Sequence, residues 1–102
     1  MLILYFLTMK TIEGFKLRKL GIEYILVGET MELINFNKMI TFNETAAFLW
    51  QQAERLSREK GSFDVSALCK TLCDEYDVAP DKAMTDVSQT VSEWRDAGVL
   101  EE

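Results

Sequence analysis

Residues 38–51 read KMITFNETAAFLWQ, and the character of the chain changes at Asn43. Lys38, Met39, Ile40, Thr41 and Phe42 suit a strand, because β-branched and aromatic side chains pack well on a pleated surface. Beyond Asn43 the period becomes helical: Ala46, Leu49, Trp50, Ala53 and Leu56 recur at the spacing of one buried helix stripe. Asn43 is the natural cap, since its side-chain oxygen can accept an otherwise unpaired N–H of the first turn. Glu44 then faces the positive end of the helix dipole, and Gly61 marks the stop. A short strand placed beside a covering helix is an α+β signature.

Working outward, GFKLRKLGIEYILVG (residues 14–28) reads as a hairpin turning at Gly21. Phe15 and Leu17 alternate with Lys16 and Arg18, so the first arm has one wet face. The second arm, apolar on both faces, reads as a central strand, and MELINFN is a weaker strand candidate. On the other side, SFDVSALCKTLCDEY reads as a second helix capped by Asp64, with Phe63 packing on Leu68 as a staple. Its core face is Val65, Leu68, Leu72 and Tyr76. Pro80 suits the first position of a third helix, residues 81–98, whose stripe is Ala83, Val87, Val91 and Trp94 and whose end is Gly98. The expectation is a winged-helix-like α+β domain: about three N-terminal antiparallel strands, then three helices. Helices two and three have the look of a helix-turn-helix.

The chain's 102 residues make one domain, and 48% hydrophobic content is enough for a core. Its boundaries read as an apolar extension over residues 1–12 and a domain over residues 13–102. The opening MLILYFLT falls well short of the ~20 apolar residues that span a bilayer, and it lacks the basic start of a secretory signal. It is either an added strand, at an edge or a dimer contact, or a tail ahead of a start at Met9. No membrane partner and a cytoplasmic location are expected.

Charge narrows the function further. The net charge is −6, and residues 64–102 hold ten acidic against three basic side chains. In the third helix Asp81, Asp86, Glu93 and Asp96 outnumber Lys82 and Arg95, so a recognition helix here would carry carboxylates toward phosphates. A winged-helix DNA-binding regulator is therefore the weaker alternative, and no nucleic-acid partner is expected. The chain has no histidine, which removes the usual general base and commonest metal ligand. Cys69 and Cys73 share a helix face but cannot alone close a tetrahedral zinc site. They read as free thiols of a reducing compartment, or as half of an intermolecular metal or redox site. No phosphate loop or nucleophile–base pair is present. The expectation is a binding module with no catalytic residue, metal or cofactor. An exposed strand over residues 38–42, walled by the third helix, can accept an extended peptide. Its competitor is an edge covered by residues 1–8 or by a second copy, as in a structural homodimer.

The order GFKLRKLGIEYILV, MITFNETAAFLW, SALCKTLCDEYDVAPDKAMTDVSQTV, WRDAGVLEE resembles the PqqD-like family of peptide-recognition domains. The family's hydrophobe-Asn-x-Thr-Ala pattern matches Phe42, Asn43, Glu44, Thr45 and Ala46. Its later pattern matches Tyr76, Val78, Asp86 and Val87, and its chain end matches Gly98, Val99 and Leu100. The segment GETMELINFN is long for the pattern. The resemblance implies a non-catalytic adaptor that binds the leader of a ribosomally made precursor peptide and presents it to a modifying enzyme, often a radical S-adenosylmethionine enzyme. Carried onto this chain, the strand contacts fall on Lys38, Met39, Ile40, Thr41 and Phe42, and the helix contacts on Asp86, Val87, Thr90 and Glu93.

Overall fold

The computed structural model describes residues 8–28 and 40–101. Strand candidate MELINFN, most of the apolar N-terminus, Lys38 and Met39 lie outside these residues. Chain order is β1 (Lys10–Thr11), β2 (Phe15–Leu20), β3 (Glu23–Gly28), β4 (Ile40–Phe42), α1 (Glu44–Lys60), α2 (Val65–Glu75), α3 (Pro80–Ala97) and β5 (Leu100–Glu101). The hairpin is as expected: β2 and β3 pair antiparallel from Phe15–Gly28 to Leu20–Glu23, with the turn at Gly21 and Ile22. β3 also pairs antiparallel with β4, in the register Tyr24–Phe42, Ile25–Thr41 and Leu26–Ile40. Among the described residues the strand order is therefore β2-β3-β4, with β4 at one edge.

The helix ends follow the sequence chemistry. Asn43 Oδ1 accepts the Ala46 N–H at 2.8 Å, and Asp64 Oδ1 accepts the Ala67 N–H at 2.8 Å. Pro80 opens α3 without a side-chain cap, which costs little because proline has no N–H to leave unpaired. Gly61 and Gly98 close α1 and α3 in the left-handed conformation, at φ 85° and 81°, where a Cβ would be strained.

The core joins both sheets to all three helices. In α1 the buried stripe is Ala47, Leu49, Trp50, Ala53 and Leu56; Ala46, expected inside, is half-buried at the groove described below. In α2 Cys69 joins Val65, Leu68 and Leu72, while Tyr76 is half-buried at the helix end. The stripe of α3 is as read, and Val87 has no exposed surface.

The start of the described chain is built into the domain. Met9 is 1% exposed and exchanges two backbone hydrogen bonds with Phe63, at 2.8 and 2.7 Å. β1 pairs with β5, Lys10 Nζ meets Glu101 Oε1 at 3.0 Å, and the Ile12 N–H reaches the Val99 carbonyl at 3.1 Å. Residues 9–12, read from sequence as part of an extension, thus close the fold against its C-terminal end. Two-residue strands carry no period of their own, so this pairing has no local signal. Because Met9 is packed on all sides, Met9→Ala should cost about 2–5 kcal/mol, measured by urea unfolding; a loss under about 1 kcal/mol would contradict its place in the core.

Candidate functional site

The β4 edge faces the first half of a groove and α3 the second. On the strand side lie Ile40, Thr41 and Phe42, continuing through Asn43, Thr45 and Ala46 into α1. On the helix side lie Asp86, Gln89, Thr90, Glu93 and Trp94. The groove encloses about 430 Å³ and is open along its length.

Its floor is aromatic. Phe42 stacks on Trp94 with ring centroids 5.7 Å apart and meets Trp50 edge-on at 6.0 Å, while the two Trp rings cross at 5.2 Å and 88°. Such offset and edge-to-face pairs add to the gain from burial. The three rings lock β4 to α1 and α3, so the distance between edge strand and helix wall is set by packing.

The rim is polar and acidic. Asp86, Gln89, Thr90 and Glu93 fall at i, i+3, i+4 and i+7, one face of α3. Asp86 pairs with Lys82 one turn before it, with Nζ to Oδ2 at 3.0 Å. Glu93 Oε1 accepts the Gln89 side-chain amide at 3.5 Å, and the Thr90 hydroxyl donates to the Asp86 carbonyl at 2.9 Å. No lysine or arginine lines the groove among the described residues.

Of the residues read from sequence, the structure brings Ile40, Thr41, Phe42, Asp86, Thr90 and Glu93 together. Val87 is a correction: it sits in the core and offers the groove no surface, because one helical step from Asp86 turns the side chain by about 100°. Lys38 and Met39 lie outside the described residues. Gln89 was missed, although its spacing from Asp86 and Glu93 marks it. Trp94, read only as core, forms both core and groove floor.

The titratable groups near the site have the following surroundings. Among the described residues no three His, Cys, Asp or Glu side chains converge on a metal-binding point. Burial raises the Glu54 carboxyl, against the lowering influence of Arg58 and Lys16, but Glu54 lies outside the groove. Burial, with Cys73 and Asp64 nearby, pushes the Cys69 thiol up to about 11, far from an activated nucleophile. Among the described residues no helix is long and apolar enough to cross a membrane.

An antiparallel sheet with one strand edge facing a helix wall, ahead of a helix-turn-helix pair, defines a winged-helix-type α+β domain. The chain belongs to the family described as Coenzyme PQQ synthesis protein D (PqqD), whose match covers residues 23–100. Two solved structures share the fold. One, of TbiB1 in complex with the TbiA(beta) leader peptide, has a TM-score of 0.68 at 13% identity, covering 90% of this chain and 94% of that one. The other, of a lasso peptide synthetase B1 complexed with the leader peptide, has a TM-score of 0.68 at 15% identity, covering 92% and 98%. No curated protein matches the chain.

The two thiols differ in burial, Cys69 being 8% exposed and Cys73 more open. Iodoacetamide at neutral pH should therefore alkylate Cys73 at least about tenfold faster than Cys69, followed by peptide mass spectrometry. Equal rates would contradict the burial of Cys69.

Proposed function

We propose that this protein is a non-catalytic adaptor that binds the leader segment of a ribosomally made precursor peptide. The leader adds as a strand to the side of β4 that carries no strand among the described residues, and lies against α3. The observation that carries this reading is the edge of Ile40–Phe42 facing the acidic face of α3 across a preformed groove. An edge strand offers main-chain donors and acceptors in register, which give affinity without demanding a particular side chain. Membership of the PqqD family supports the reading, as do two fold neighbours solved as leader-peptide complexes.

In the proposed complex the leader also contacts Lys38 and Met39. Ile40, Thr41 and Phe42 supply the backbone of the receiving strand, and Asp86, Thr90 and Glu93 meet the outward side chains of the leader. Val87 supports that wall from inside the core. The bound leader is then presented to a modifying enzyme of the cytoplasm, with radical S-adenosylmethionine enzymes the first class to try. The family's description does not fix the product as coenzyme PQQ. The acidic groove disfavours nucleic acid, for the reason its sequence suggested.

Fluorescence-anisotropy titration with labelled N-terminal segments of the short peptides encoded beside the gene tests the reading. Saturable binding by one of them, with a scrambled peptide and duplex DNA silent, is expected. Adjacent strand residues aim their N–H groups to opposite sides, so of Ile40→Pro and Thr41→Pro one removes a donor from the open edge and leaves the β3 ladder intact. That variant should stay folded and lose at least about tenfold in affinity. Unchanged binding by both folded variants would rule out strand addition at β4.

The acidic rim also sets a charge preference. Glu93→Gln should weaken a leader with a basic residue at that position by up to about fivefold, an exposed ion pair's contribution, and the difference should shrink as salt rises. Equal affinities of parent and variant at low salt would show that Glu93 does not meet the leader.

A further inference from the structure

Helices α2 and α3 meet at a contact that the peptide groove does not use. Cys69 Sγ donates to Met84 Sδ at 3.7 Å, joining the middle of α2 to the first turns of α3. Cys73 follows Cys69 by one helical turn on the same face, and residues four apart hold their Cβ atoms about 5–6 Å from each other. Cys69 is 8% exposed, while Cys73 and Met84 are half-buried and keep part of their surface in solvent. Two sulfur atoms thus touch across the pair of helices, and a third sits one turn further along the same face of α2.

We propose that Cys69, Cys73 and Met84 form a three-sulfur site for one soft monovalent metal ion, Cu(I), which clips α2 to α3.

Three arguments favour this ion. Thiolate and thioether donors are soft and select Cu(I) over the harder divalent ions. Zinc in a structural site takes four ligands, and among the described residues no fourth histidine, cysteine or carboxylate joins the cluster. Distance agrees as well: with metal–sulfur bonds of about 2.3 Å, two sulfurs sharing one ion at tetrahedral to trigonal angles lie about 3.8–4.0 Å apart. The Cys69–Met84 separation of 3.7 Å needs almost no helix movement to reach that value. Binding is a proton-for-metal exchange. The two thiols release two protons, two Cu–thiolate bonds and one Cu–thioether bond form, and copper stays in its +1 state. The inference stands apart from the leader-binding reading, since none of the three residues lines the groove.

The test is an anaerobic titration of the purified chain with Cu(I), supplied as its acetonitrile complex, in competition with a chromophoric Cu(I) chelator. The parent should take up one equivalent and gain ultraviolet thiolate-to-copper absorption. Its melting temperature should rise. Cys73→Ser should abolish the absorption, and Met84→Leu, close in volume and free of sulfur, should weaken binding at least about tenfold. Both positions are half-buried, so both variants should fold, checked by circular dichroism. Failure of the parent to compete for Cu(I), or retention of full affinity by either folded variant, would overturn the three-sulfur site.

Discussion

The contact of Phe42 with Trp94 and Trp50 is the constraint on which the rest of the molecule depends. Phe42 is the last residue of the edge strand, Trp50 lies two turns into the helix that follows, and Trp94 is near the end of the last helix. All three are at most 3% exposed. Their stacked and edge-to-face geometry ties together elements that otherwise meet at the chain's two halves. Without it β4 would be held, among the described residues, by its pairing with β3. With it, the strand has a fixed distance from α3, and a groove is present before any ligand arrives. Such preorganisation lowers the ordering cost of binding.

The same packing bears on selectivity in the proposed complex. Backbone groups of β4 would accept an extended chain of almost any sequence, so discrimination would fall to the helix wall. There Asp86 and Glu93 bracket Gln89 and Thr90 on one face. Lys82 pairs with Asp86, and Glu93 accepts the Gln89 side-chain amide. The acidic rim would also carry carboxylates toward phosphates if this helix lay on nucleic acid.

Much of this was legible in the sequence because local chemistry and long-range packing agree. Asn43, Asp64, Pro80, Gly61 and Gly98 each have a stereochemical reason to start or stop a helix, and each does so. The stripe of α3 was readable from its period. Groove residues Asp86, Thr90 and Glu93 came from family resemblance joined to helical spacing. Val87 shows the limit of that route, since a motif position can be retained for the core and never touch a ligand. What lay beyond sequence reasoning was tertiary. Met9 pairs with Phe63, and Lys10 with Glu101, across separations that no local pattern announces. Met84 meets Cys69 only because α2 and α3 cross at that height.

The central claim is that β4 is the receiving edge for an extended peptide. Backbone amide hydrogen exchange, resolved by NMR with and without the leader segment that binds, addresses it most directly. The account predicts new protection at whichever of Ile40, Thr41 and Phe42 point away from β3, together with shifts along the Asp86–Glu93 face and little change in β2. Protection confined to the β2–β3 hairpin, or unchanged exchange in β4 at saturating peptide, would contradict it.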